Sequence, residues 1–266
     1  MELIEIKKEI EGSKFEYSAV RNGRKMGSIK GSIQNPKILW LWRYEKNDEE
    51  SVFFEKLQKK FYSDCLENKC KILLEINEKT EQAKYFMDKS KFVESHISYV
   101  FENDLLNLKS LSKEFELLRF QEIPLLKYQK IYYESSKGDP QIDLSNLSSE
   151  EFFNQDKKEL GDLWDENLMH LVSWKDEIIG VLNLRTMPHP KTRAKEGSIN
   201  YLGLLPNQRQ KGYGEILHLT GLHKLKALGC KSYYGGTDSQ NQAMLKIFEK
   251  NNCERAEEKY CYKIEK

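Results

Sequence analysis

Cysteine is scarce in this 266-residue sequence: Cys65, Cys70, Cys230, Cys253 and Cys261 are all there is. An odd number with no C-x-x-C pair argues against a disulfide framework and against a structural zinc site. No stretch approaches the ~20 apolar residues that a membrane helix needs. The first residues, MELIEIKKEIEG, are charged from the second position and contain no apolar signal core. An excess of one charge is missing too. The chain carries 43 Lys+Arg against 42 Asp+Glu, and the parts before and after Leu117 are each balanced. A nucleic-acid partner held through its phosphates is therefore not expected. These absences lead to the expectation of a soluble protein of a reducing cytoplasm, with no membrane partner. Hydrophobic residues are only 39% of the chain, but 14 Tyr, 12 Phe and 4 Trp supply large surfaces for a packed core. The length fits one large domain or two modest ones.

Along the chain, residues 2–9 alternate as a strand does. Lys14–Val20 and Lys25–Ser32 flank Asn22-Gly23, a strong hairpin signal. Lys37–Tyr44 reads as a buried strand, and Val52, Phe53, Leu57 and Phe61 have helical spacing. Cys70–Ile76 reads as a strand, Thr80–Lys89 as a helix and His96–Glu102 as a strand. A short amphipathic stretch, Leu105–Leu117, follows. The second half opens with a strand at Leu118–Glu122 and two helices, Leu125–Ser135 and Ser149–Trp164. A hairpin turns about Lys175-Asp176, and the basic loop Met187–Glu196 comes after it. The remainder reads as strand Ser198–Leu205, helix Gly214–Leu228 stopped by Gly229, strand Lys231–Gly235, helix Gln240–Asn251 and strand Lys259–Ile264.

The two halves match in spacing. Ile38–Trp42 and Ile199–Gly203 lie 161 positions apart, Cys70 and Cys230 160, and Phe92 and Cys253 161. Length-matched elements of this kind indicate a tandem duplication. The expected division is 1–117, a reduced first copy, and 118–266, the full one.

The segment LGLLPNQRQKGYGEILHL carries the chemistry. It sets Arg209-x-x-Gly212-x-Gly214 between a strand and a helix. Glycine lets the main chain curve closely around a ligand. The first free N–H groups of the helix then face an anion, and the helix dipole adds to the attraction. Arg209 and Lys211 offer countercharge. No Gly-Lys-Ser/Thr follows, so this is not a Walker loop. The first glycine of the dinucleotide fingerprint is also missing. Asn241-x-x-Met244-x-x-x-Phe248-x-Lys250 opens a second helix further on.

With these two motifs the sequence resembles the GNAT (GCN5-related N-acetyltransferase) superfamily over residues 118–266, and weakly over 1–104. The resemblance implies an α+β architecture of tandem GNAT-like folds, each a mixed, largely antiparallel splayed sheet flanked by helices. It implies acetyl-CoA bound where two neighbouring strands part. The main chain at Leu202 and Leu204 would pair with the pantetheine arm. The amides from Gln210 through Lys211, Gly212 and Tyr213 to Gly214 would hold the pyrophosphate. Asn241 would bond the pantetheine arm, with Phe248 and Lys250 near the cofactor.

Two departures from the family pattern concern protons. Phe248 stands where many members place a Tyr that protonates the departing thiolate, and Asn200 where many place a glutamate base. Glu196 is a replacement candidate for the base, and Tyr234, Tyr260 and Tyr262 for the acid. A thiol with a pKa near ~8.5 also leaves as thiolate unaided. The first copy has Asn47-Asp48-Glu49-Glu50 in place of the glycine loop, so it is expected to bind no CoA and to serve in packing. The expected activity is transfer of an acetyl group from acetyl-CoA to an amine of a small molecule or peptide, by direct attack, in a monomer or homodimer. The alternative is a non-catalytic acetyl-CoA-binding module.

Overall fold

The computed structural model describes residues 5–11, 14–35, 38–46, 51–67, 71–76, 92–139, 142, 144–189 and 192–264. They form two compact units. Unit 1 is Met1–Ser98 with Glu258–Lys266, and unit 2 is Tyr99–Glu257. The expected helix at Thr80–Lys89 and the acidic segment Asn47–Glu50 lie outside the described residues.

Unit 1 is built from β1 (Glu5–Glu11), β2 (Lys14–Arg21), β3 (Arg24–Asn35), β4 (Ile38–Lys46), α1 (Ser51–Glu67) and β5 (Lys71–Ile76). Asn22 and Gly23 have φ of 50° and 76°, which is what a two-residue hairpin turn between right-twisted strands needs. β1 to β4 pair antiparallel in sequence order, and β4 pairs parallel with β5. α1 lays its buried Leu57 and Phe61 on this sheet, where Phe61 stacks on Phe15 at 5.9 Å between ring centres. The last part of the chain completes the unit: Tyr260–Lys263 pair antiparallel with Leu73–Ile76.

Unit 2 repeats that strand plan with more helices. The chain enters it within β6 (Phe92–Asn103). It then forms β7 (Glu116–Arg119), α2 (Leu125–Ser136), α3 (Ser149–Leu160), β8 (Met169–Trp174), β9 (Glu177–Pro188) and β10 (Lys195–Leu204). α4 (Tyr213–Ala227), β11 (Ser232–Asp238) and α5 (Gln242–Lys250) follow, and the chain leaves within β12 (Glu254–Ile264). β7, β8, β9 and β10 pair antiparallel in order, and β10 pairs parallel with β11. The residues from Tyr99 to Asn103 of β6 lie on the other side of β11. α3 starts with a full capping box: the Ser148 hydroxyl accepts from the Glu151 N–H, and the Glu151 carboxylate accepts from the Ser148 N–H.

Strand alternation assigns the two faces of this sheet. Leu182 and Leu184 pack with Leu217, Leu222, Leu225 and Phe248 under α4 and α5. Their neighbour Val181 packs with Tyr128, Tyr132, Phe152 and Phe153 under α2 and α3. The stretch Leu105–Leu117, whose pattern predicts an amphipathic element, is irregular as far as Phe115 and then enters β7. Leu105 has a φ of 57° there, yet it and Phe115 are buried in the α4–α5 core.

Candidate active site

β10 and β11 pair at only two positions, Glu196–Ser232 and Gly197–Tyr233, and then part. From Ser198 onward, β10 keeps β9 on one side and, among the described residues, pairs with no strand on the other. The register to β9 shifts between Ile199 and Tyr201, so Asn200 occupies a bulge. At the far end Leu204 faces Gly180, and a Cβ on Gly180 would stand 2.1 Å from the Gly203 carbonyl oxygen. Only glycine allows that approach. The open edge of β10 and the start of α5 border a cleft of about 220 Å³, with Tyr201, Leu202, Leu204, Gly214, Asn241 and Met244 on its walls.

At one end of the cleft the chain makes an anion-binding concavity. Gln210 has a φ of 61° and Gly212 a φ of 78°, so alternate residues take the left-handed conformation that turns successive N–H groups to one side. Gly212 is the N-cap of the 15-residue α4, and no side chain caps its first turn. Those N–H groups and the helix dipole therefore stay available to a ligand. Ser135, buried in the last turn of α2, also lines the cleft, and its hydroxyl has no hydrogen-bond partner. A pre-formed amide cradle, an open strand edge and an unpaired buried hydroxyl fit a long ligand with a phosphate at one end.

The individual residues fall unevenly. Arg209 is turned away from the cradle: its Nε donates to the Leu204 carbonyl and its guanidinium to the Ser135 carbonyl, each at 3.0 Å. It ties α2 to the end of β10, and it takes the Leu204 carbonyl expected to pair with a ligand. Lys211 donates to the Gln208 side chain at 2.9 Å. Tyr213 packs edge-on against Phe115. Asn241 accepts from the Met244 N–H through Oδ1, capping α5, while lining the cleft. Lys250 pairs with Glu215 at 2.8 Å, outside the cleft lining.

Phe248 is not at a ligand surface. It is 1% exposed and stacks on Phe101 at 4.3 Å, with the His218 ring edge-on at 5.2 Å. Burial holds His218 down to about 3, so this core is neutral at working pH. Phe248→Tyr should therefore not raise any acetylation rate. It should lower stability by ~1–3 kcal/mol, the cost of a hydroxyl buried without a partner, measurable by denaturant unfolding. Tyr260 and Tyr262 belong to unit 1, on the segment paired with β5, and not to the unit that holds the cleft. Glu196 is buried where β10 and β11 still pair, and it accepts from the Ser232 hydroxyl at 3.1 Å. Of the residues expected to handle protons, Tyr234 is the half-buried one beyond the last paired position of β11.

A polar group on the α2–α3 face went unread in the sequence. Tyr201, which lines the cleft, meets Tyr132 at 4.9 Å between ring centres. Tyr132 donates to the Asp156 carboxylate at 3.0 Å. Arg185 lies within electrostatic reach of both Asp156 and Tyr234. The signal was present: Asp156 follows Phe152 by four and Phe153 by three, which puts it on the buried stripe of α3. Burial pushes the Asp156 carboxyl up to about 6, against the lowering pull of the Tyr132 hydroxyl. Because this carboxyl binds its proton more tightly folded than unfolded, its contribution to stability is greatest below its ordinary 3.8. That contribution is lost as the pH rises through 6. The stability of Asp156→Asn relative to the parent should thus improve by ~2–3 kcal/mol between pH 4 and 7.5, as read from urea midpoints at the two pH values.

The comparisons agree with this geometry. Residues 140–252 match the model of the acetyltransferase (GNAT) family. Over those residues the chain is similar to the GNAT acetyltransferase family. No curated protein matches the sequence. Among solved structures, a GCN5-related N-acetyltransferase from Sphaerobacter thermophilus superposes with a TM-score of 0.67 at 10% identity, covering 93% of this chain and 79% of its own. A tandem GNAT protein from the clavulanic acid biosynthesis pathway gives 0.61 at 8%, covering 94% and 82%. A functionally unknown conserved protein from Staphylococcus epidermidis gives 0.56 at 12%, covering 99% and 95%. At these identities the likeness is one of fold, and it extends over both GNAT-like units.

Proposed function

We propose that unit 2 is an N-acetyltransferase that takes acetyl-CoA as donor and an amine as acceptor. The observation that carries this reading is the parting of β10 from β11 beside the amide cradle at the start of α4. Acetyl-CoA, when bound, supplies an activated acetyl group. The amides of Gln210 to Gly214 would hold its pyrophosphate, and the main chain at Leu202 would pair with the pantetheine arm as a strand does. The Asn241 side-chain nitrogen and the Ser135 hydroxyl are the polar groups left to meet that arm.

The acceptor nitrogen bonds to the acetyl carbon, the carbon–sulfur bond breaks with its electrons going to sulfur, and the proton lost by nitrogen balances the thiolate. Main-chain N–H groups on the free edge of β10 polarise the acetyl oxygen, and the cleft holds the reactants in line. Tyr234, half-buried just past the last paired position of β11, is the candidate to hand a proton to sulfur. Removal of its hydroxyl in Tyr234→Phe should lower kcat by ~10²-fold, the scale of a positioned acid, with the acetyl-CoA Kd within a factor of two.

Calorimetry tests the donor directly. Acetyl-CoA should bind at one site per chain, since the first copy carries Asp48, Glu49 and Glu50 in place of the cradle glycines. A stoichiometry of two, or no binding at all, would refute the reading. An amine panel read by CoA release separates an enzyme from a binding module.

A further inference from the structure

Arg185 on β9 is a charge that the described structure leaves unmatched. It is only partly exposed, its Nε is buried without a hydrogen-bond partner, and no carboxylate forms an ion pair with it. Burial depresses its pKa, as expected of a guanidinium with too little countercharge. Asp156, which lies within electrostatic reach of Arg185, already accepts a hydrogen bond from the Tyr132 hydroxyl and forms no ion pair with Arg185 among the described residues. A guanidinium partly withdrawn from water, with its Nε buried and unpartnered, opposes folding. A ligand that brings the anion would account for keeping it.

Position says which ligand. Arg185 pairs across the sheet with Ser198, the first residue of β10 past the paired positions, on the face covered by α2 and α3. Two residues along β9, Asn183 pairs with Tyr201, which lines the cofactor cleft. That step is about 7 Å, a span that one small molecule bridges.

We propose that Arg185 receives a carboxylate of the acceptor, so that the molecule acetylated is a small amino acid: an amine for the acetyl group and a carboxylate for the guanidinium. This rests on the acetyltransferase reading above. Arg suits the task because its planar fork takes a carboxylate through two N–H groups at once.

The test compares free amino acids with their carboxamides, which keep the amine and the size and lose the charge. CoA release is followed with the full-length protein, and acetyl-CoA binding is measured by calorimetry on the same samples. The free acids should exceed the carboxamides in kcat/KM by about 30-fold or more, mainly through KM, the scale of a desolvated charge pair. In Arg185→Gln the ratio should collapse to within about threefold. Should that variant fail to fold, Arg185→Lys carries the test: a cation without the fork should cut the ratio by about tenfold. Equal rates for acids and amides, or a ratio that survives both variants, would overturn the proposal. So would turnover of neither class by a protein that binds acetyl-CoA. Absence of acetyl-CoA binding would instead remove the donor reading on which the proposal stands.

Discussion

Gly212→Asp should weaken acetyl-CoA binding by at least about 100-fold, and Gly212→Ala should separate the two reasons why. Gly212 has a φ of 78°, and an added Cβ would meet nothing within 4 Å. Alanine there suffers only the strain of a left-handed backbone, ~1–2 kcal/mol, and crowds no neighbour. Aspartate suffers the same strain and also sets a carboxylate against a pyrophosphate. At an effective dielectric near 20, two like charges 4 Å apart repel by about 4 kcal/mol, more than enough for a hundredfold loss. The Ala variant should therefore bind within about tenfold of the parent. The extra loss in the Asp variant should shrink at 1 M salt, where the screening length falls to about 3 Å. Calorimetry on both variants at two salt concentrations checks this. Equal affinities for Ala and Asp would show that no phosphate sits at the cradle.

A fragment beginning at Leu118 should not fold as a packed domain, whereas one spanning 99–257 should, with its acetyl-CoA affinity kept. Cutting before Leu118 removes Phe101, Leu105 and Phe115, all buried in the α4–α5 core. Phe101 covers Phe248, and Phe115 packs on Trp174 and Tyr213. Large buried side chains are worth ~2–5 kcal/mol each when deleted, so three together rival the 5–15 kcal/mol that stabilises a typical domain. Proton NMR dispersion and proteolysis of the two fragments give the answer. The full-length variant Phe101→Ala supplies an intermediate case, with an expected loss of ~3–5 kcal/mol. A well-dispersed, protease-resistant 118–266 fragment would show that these three residues are dispensable.

The contrast between those fragments marks what could be read from the chain alone. Local patterns were legible. Asn22-Gly23 turned as expected, the segment from Gly214 to Leu228 proved helical over Tyr213–Ala227, and Gly212 stands where the main chain curves into that helix. Each is decided by residues within a few positions of one another. The placement of Phe248 was not legible, because the ring that covers it comes from Phe101, 147 positions earlier. Arg209 carries a charge beside a glycine loop, and local reasoning aimed it at a ligand. The carbonyls that hold it belong to Leu204 and to Ser135, and the second of these is brought near only by the packing of α2. Asp156 and Arg185 lie on different elements 29 positions apart, and alternation gives each its face but not their proximity.

The return of the chain to unit 1 at Glu258 has a consequence for biosynthesis. Domains emerging from the ribosome ordinarily fold in the order in which they are made. Here the segment that pairs with β5, Tyr260–Lys263, is translated after all of unit 2. Unit 2 needs nothing beyond Glu257 and can reach its final packing as soon as that residue is free of the exit tunnel. Unit 1, although its residues up to Ser98 emerge earlier, must wait with one edge of β5 open until Tyr260–Lys263 have emerged. In a pulse-labelling experiment its protease resistance should appear after that of unit 2, reversing the order of synthesis.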